Sequence, residues 1–203
     1  LNWNDAIKKL HNSTDGNDHK SKSYRRLVFD EICANFLTLS QNRIRIKKNK
    51  KNKKLKKKLS NKIIDTLSFN LTDEQKKVLN EISLDIASSH RMFRILQGDV
   101  GSGKTIVSLL AIANVIESNY QCALMGPTEI LCLQHYNLAK KIFDKLNLNV
   151  EFLTGKTDYK KRKIILKKLK DGEIDLLIGT HTLFQKKIKF KNLGFVVIDE
   201  QHK

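Results

Sequence analysis

Two stretches carry residue types and spacings that could do phosphate chemistry. The first is Leu96-Gln-Gly-Asp-Val-Gly-Ser-Gly-Lys-Thr105, which from Gly98 has the spacing G-x-x-x-x-G-K-T of a phosphate-binding loop. Gly98, Gly101 and Gly103 permit backbone angles closed to other residues, so the N–H groups of the loop, through Asp99, Val100 and Ser102, can turn onto phosphate oxygens. Lys104 brings a point charge for the β- and γ-phosphates, and the Thr105 hydroxyl can hold Mg²⁺. The second stretch, Phe195-Val-Val-Ile-Asp-Glu200, is an apolar run ending in two adjacent acids. Asp199, at the tip of such a strand, can hold Mg²⁺ through water opposite Thr105. Glu200 can orient or deprotonate an attacking water. Alone, the first stretch could be an ordinary Gly-rich turn and the second a strand with solvent-facing acids. Together on one sheet they would make a site for a nucleoside triphosphate with Mg²⁺.

The surrounding pattern supplies that sheet. Apolar runs at Phe93–Leu96, Cys122–Met125, Val150–Leu153, Leu176–Ile178 and Phe195–Ile198 are predicted strands. Helical patterns at Lys104–Ser118, Glu129–Leu146 and Asp158–Lys170 separate them, and Gly172 supplies the stop of the last. The helix after the loop is apolar nearly all round, which predicts burial on several sides. The last has six lysines and an arginine between residues 160 and 170, so one of its faces is solvated. Alternation of short apolar strands with helices predicts an α/β fold: a parallel sheet with helices on both faces and ligands at the carboxyl ends of the strands.

A formal net charge of +18 on 203 residues favours a polyanionic partner, most simply nucleic acid, although a plain Lys and Asn bias would also raise it. Cys33, Cys122 and Cys132 lack metal-ligand spacing and are expected to be reduced, buried thiols of a cytoplasmic protein; no zinc site is expected. No apolar run reaches the 18 residues of a membrane span, and no signal peptide is visible. Both ends, Leu1 and Lys203, look cut.

Ahead of the α/β part, a short apolar segment around Trp3, Ile7 and Leu10 precedes a polar loop at Asn12–Asp18. A helix is predicted from Ser23, with Val28, Phe29, Ile32, Cys33, Phe36 and Leu37 on one face, a docking helix between domains. Lys47–Lys58 holds nine lysines in twelve residues and fits a solvated connector or a DNA-backbone contact. Helical pattern returns over Ile63–Ile86, with a start signal at Thr72-Asp-Glu-Gln75. The division expected is a mainly helical linker over residues 1–62 and an ATP-binding domain over 63–203.

These residues carry a family resemblance. Asp199-Glu-Gln-His202 is a DExH signature, so the chain resembles the first, RecA-like motor domain of superfamily 2 helicases. The phosphate loop, Ala123-Leu-Met-Gly-Pro-Thr-Glu-Ile-Leu131, Gln134-His135, Leu153-Thr-Gly155, Ile178-Gly-Thr-His181 and Val196–His202 narrow this to bacterial RecG-type branch-migrating DNA helicases. Tyr24-Arg-Arg-Leu-Val-Phe-Asp-Glu31 is similar to the helix joining their wedge domain to the motor. Gln75 then corresponds to the Q motif, which reads the adenine edge, and Phe69 could pack near the base. Pro127, Thr128, Thr154, Gly155, Thr180 and His181 correspond to loops that touch the phosphate backbone of one DNA strand, a contact that positions without reading bases. His202 corresponds to the residue coupling nucleotide to DNA. Departures are Gly126 for a small alanine, Cys132-Leu133 for a small-plus-acidic pair, an unusually lysine-dense connector, and no proline pattern around Asn12–Asp18.

The resemblance implies an ATP-dependent helicase acting on forks and Holliday junctions, monomeric when intact, with this chain as the ATP-binding half. The second motor domain would supply an arginine finger, worth about 10³–10⁵ in rate or roughly 4–7 kcal/mol. The chain alone should therefore bind nucleotide and hydrolyse little. Alternatives are a transcription-repair coupling factor-like translocase, a non-catalytic nucleotide- and DNA-binding module, and a plain polyanion-binding protein.

Overall fold

Among the described residues, two helices form the leading part of the molecule. In the computed structural model, which describes residues 1–12, 20–46 and 55–201, the chain divides into a unit over Leu1–Lys50 and a second over Lys51–Lys203. In the first unit α1 (Trp3–His11) starts at Asn2, whose side chain accepts from the Asn4 N–H at 3.1 Å, and packs on α2 (Lys22–Ile46). On the predicted apolar face of α2, Val28 and Cys33 are half-buried while Phe29, Ile32, Phe36 and Leu37 are exposed within the unit. Cys33 is thus not the buried thiol expected; Cys122 and Cys132 are. Most of the expected loop at Asn12–Asp18 and of the Lys47–Lys58 run lies outside the described residues.

The second unit begins with α3 (Lys58–Thr66) and α4 (Asp73–Ala87), both packed on α5 (Lys104–Ile116). Residues 58–62, placed on sequence grounds with the leading segment, open α3, which packs on α5 and buries Ser60 and Ile63. The start of α3 is capped from outside: the Glu117 carboxylate accepts from the N–H groups of Lys58 (2.8 Å) and Leu59 (3.2 Å), an anion at a helix N-terminus. The single helical pattern predicted over Ile63–Ile86 is two helices. The first ends at Leu67, and Thr72 opens the second with a reciprocal capping box to Gln75.

Strands β1 (Gln121–Met125), β2 (Val150–Leu153), β3 (Leu176–Gly179) and β4 (Leu193–Ile198) form one parallel sheet in the order β2-β3-β1-β4. Strand alternation sorts the two faces. Leu176 and Ile178 join Cys122, Leu124 and Val150 against α5 and α6 (Glu129–Phe143). Leu177 and Leu153 face Ile165 and Leu169 of α7 (Tyr159–Asp171) on the opposite side. Helices therefore cover both faces, and α5 is buried from Ile106 to Ile116 except at Ser108, as its all-round apolar pattern predicts. α7 starts at Asp158, which caps it, and stops at Gly172 with φ +85°. One buried amide ties the layers at the start of the sheet. Gln121 Nε2 donates to Leu169 O (3.0 Å) and Ile174 O (2.8 Å), while its Oε1 accepts from Lys191 N (2.8 Å) and Asn192 N (3.1 Å).

One predicted strand is absent: Phe93–Leu96 makes no ladder with any strand among the described residues. The segment keeps a strand's alternation, with Met92 and Leu96 packed on the core and Phe93 and Ile95 78% and 68% exposed. It is held instead by a side chain. Arg94 donates to Asp85 (2.8 Å) and Glu81 (2.7 Å) on α4, and these bonds, that to Asp85 foremost, raise the guanidinium pKa. Apolar alternation predicts an extended backbone; a strand also needs a neighbour with free backbone groups. Among the described residues no helix is long and apolar enough to cross a membrane.

Candidate functional site

The phosphate-loop residues lie between the exposed segment just described and the first turn of α5. Gly101 and Gly103 both take φ +81°, angles that side chains resist, and Ser102 N closes the turn on Asp99 O at 3.2 Å. Asp99 and Val100 are exposed at its tip. Gly103 is the N-cap of α5, so the loop ends where that helix leaves its first N–H groups unpaired. Lys104 Nζ lies back across the loop, donating to Gly98 O (2.6 Å) and Asp99 O (2.8 Å). Gln75 also touches the loop. Its Oε1 accepts from Thr72 N (3.0 Å), and its Nε2 donates to Ser102 O (2.9 Å). A Cβ on Gly103 would run into that amide, so the glycine is needed both for its angle and for the close approach of Gln75. Phe69 is exposed.

β4 delivers the acids. Asp199 N donates to Met125 O at 2.8 Å, extending the β1–β4 ladder one residue past the strand and fixing the start of the acidic pair. Glu200 then takes φ +51°, a left-handed angle uncommon for a non-glycine residue and one that turns the chain sharply after Asp199. Lys104, Thr105, Ser108, Leu124, His135, Val197 and Asp199 line one cavity at the carboxyl ends of β1 and β4. The two stretches, 95 residues apart, therefore meet. A threonine hydroxyl and a carboxylate are hard oxygen donors, and the described residues hold no group of three or more His, Cys, Asp or Glu side chains suited to a metal. Such a sparse oxygen set fits Mg²⁺, which keeps several waters and takes phosphate oxygens as its remaining ligands.

His135, not singled out for chemistry on sequence grounds, is in this cavity. Its Nε2 lies 2.8 Å from Asp199 Oδ2, with the imidazole only 11% exposed. The 64 residues between the two give no spacing signal; the pair becomes visible only once α6 lies across the sheet.

The remaining predicted residues sit along the same rim, at the ends of β1, β2 and β3. Pro127 and Thr128 follow β1, and Thr128 caps α6 by accepting from Leu131 N at 3.3 Å. Thr154 and Thr180 are buried, with hydroxyls engaged inside the protein. Thr154 Oγ1 accepts from Lys156 N (3.3 Å), and Thr180 Oγ1 lies 3.4 Å from Thr182 Oγ1. Gly155 and His181 are exposed. Glu129, in the first turn of α6, pairs with Lys156 at 3.1 Å. The hydrogen bond from Lys156, and then one from Thr154, holds its carboxyl below the usual range. This pair links the loop after β1 to the loop after β2. His202 lies outside the described residues. The departures Gly126 and Cys132 meet each other: Cys132 Sγ is buried 3.2 Å from Gly179 O, in space that a Cβ on Gly126 would invade. Burial raises the pKa of this thiol.

The profile of the DEAD/DEAH box helicase family matches residues 72–203, well over half the chain. This chain belongs to the DEAD/DEAH box helicase family. It is 42% identical over 204 residues to the ATP-dependent DNA helicase RecG of Aquifex aeolicus, covering 98% of this chain and 26% of that protein. It is 43% identical over 188 residues to the RecG of Thermotoga maritima, covering 91% and 24%. A solved structure of RecG bound to a three-way DNA junction superposes with TM-score 0.79 at 40% identity, covering 90% of this chain and 25% of that one. The chain thus spans about a quarter of the length of the relatives it matches. For this helicase-family chain the RecA-like fold and the RecG resemblance hold.

Proposed function

We propose that this chain is the ATP-binding half of the motor of a RecG-type DNA helicase, which couples ATP hydrolysis to branch migration of forks and Holliday junctions in the cytoplasm. The observation that carries the reading is the shared cavity of Lys104, Thr105 and Asp199 beneath the glycine turn. The loop N–H groups from Gly98 to Gly103 take the phosphates, and Lys104 exchanges its two loop carbonyls for β- and γ-phosphate oxygens. Thr105 and Asp199 would hold Mg²⁺, which neutralises charge on those oxygens when bound. Glu200, turned just past the strand end, orients the attacking water and takes its proton. Gln75 meets adenine from the first turn of α4 while its Nε2 reaches the loop.

DNA follows the rim of Pro127, Thr128, Gly155 and His181. The buried Thr154 and Thr180 shape those loops from within and leave backbone groups to face phosphate. A net charge of +18 supports a polyanionic partner, and one related structure was solved with a DNA junction. The test is a Glu200→Gln change in the full-length protein. ATP binding should survive while DNA-stimulated hydrolysis and branch migration are lost; a variant that still unwinds junctions would overturn the motor reading.

A further inference from the structure

We infer that His135 is a positioning residue for Asp199, and that it sets the Mg²⁺-dependent part of nucleotide affinity. The inference rests on the nucleotide reading above. A carboxylate at a strand tip has two equivalent oxygens and freedom about χ2, so a metal that meets it through water gains little unless one orientation is selected. Here one oxygen is already assigned: Asp199 Oδ2 accepts from His135 Nε2 at 2.8 Å, which leaves Oδ1 as the oxygen without that bond. An imidazole donates from Nε2 in its neutral Nε2–H tautomer as in its protonated form, so the role needs no change of charge.

The donor is itself fixed. His135 sits in the second turn of α6, nearly enclosed, with Cys132 and Ala139 of the same helix fully buried in the core. Asp199 is fixed from the other side by its backbone bond to Met125 O. Both residues line the cavity that holds Thr105, so the orientation selected is one presented to the metal-holding hydroxyl. Outer partners that orient a ligating carboxylate typically change metal affinity by about 10–100-fold when removed.

The test measures binding rather than turnover. Fluorescent mant-ADP is titrated into the 203-residue chain with Mg²⁺ and again with EDTA, for wild type, His135→Ala, His135→Gln and Asp199→Ala. Mn²⁺ bound with ADP is counted in parallel by electron paramagnetic resonance. The EDTA affinity should be the same for wild type and the two His135 variants, which also shows that these variants fold. The gain on adding Mg²⁺ should fall about 10-fold in His135→Ala. It should return to within about threefold of wild type in His135→Gln, whose Nε2 can reach the same oxygen. Bound Mn²⁺ should follow the same order. If His135→Ala keeps the full Mg²⁺ gain while Asp199→Ala loses it, the positioning role is wrong and the nucleotide reading stands. If wild type gains nothing from Mg²⁺, both fall.

Discussion

Gly126→Ala should destabilise the sheet domain through a single contact, and Cys132→Ala should rescue it. Gly126 follows β1, is buried, and has no left-handed angle, so its backbone accepts alanine without strain. The added Cβ would lie 2.9 Å from Cys132 Sγ, well inside the roughly 3.5–4.0 Å of an unstrained heavy-atom contact. The sulfur has no open side to move to, being fully buried and 3.2 Å from Gly179 O. Overpacking of this kind costs about 1–3 kcal/mol, and one short side chain that must turn places the expectation near 2 kcal/mol. Removing the sulfur alone forfeits roughly 1 kcal/mol of buried contact. In the double variant the alanine Cβ meets Cys132 N at an ordinary 3.7 Å, so the cost should be about 1 kcal/mol rather than the 3 kcal/mol of simple addition. Urea unfolding followed by far-ultraviolet circular dichroism measures all four corners of the cycle; tryptophan fluorescence would not serve, since Trp3 lies in the other unit. Additivity within about 0.5 kcal/mol would refute the steric coupling.

Other outcomes follow from single groups. Gln121→Leu removes four hydrogen bonds at the base of the sheet and should cost about 4 kcal/mol at roughly 1 kcal/mol per bond, read from the same urea curves. Asn114→Leu should stabilise by about 1 kcal/mol, because the Asn114 amide in buried α5 has no hydrogen-bond partner among the described residues; a loss of stability would point to a hidden polar neighbour. Asp175 has its pKa raised, first by burial and against the opposing bond from Asn149 N. A carboxyl raised in the folded state contributes stability below its unfolded pKa and loses it as pH rises through the folded value. Asp175→Asn should therefore gain on wild type between pH 4 and pH 7, and a gap in midpoints that is flat with pH would contradict this.

Much of the sheet was legible because each element carried its own local signal. Short apolar runs placed β1 to β4, Thr72 and Asp158 marked helix starts, and Gly172 marked a stop. Phe93–Leu96 failed as a strand because pairing belongs to two segments, and apolar pattern describes only one. The break between α3 and α4 was missed because their apolar residues nearly keep phase across Leu67–Leu71, while capping at both ends decides the boundary. At the site, Lys104, Thr105 and Asp199 could be read from local motifs. His135 stands in the Gln134-His135 motif, but its role could not be read there, since its meaning is one bond across 64 residues. In the sequence Cys132 is only a departure from the family pattern; beside Gly126 it is one half of a compensated pair.

The central claim is that a triphosphate is held between the glycine turn with Lys104 and the acid at the end of β4. Equilibrium titration of the 203-residue chain with ATP and Mg²⁺, beside Lys104→Ala, tests it most directly. Loss of a charge-assisted phosphate contact is worth about 1.5–3 kcal/mol, so affinity should fall at least about 10-fold with the fold intact. Equal affinity of the folded wild type and Lys104→Ala, or no binding by either, would contradict the account.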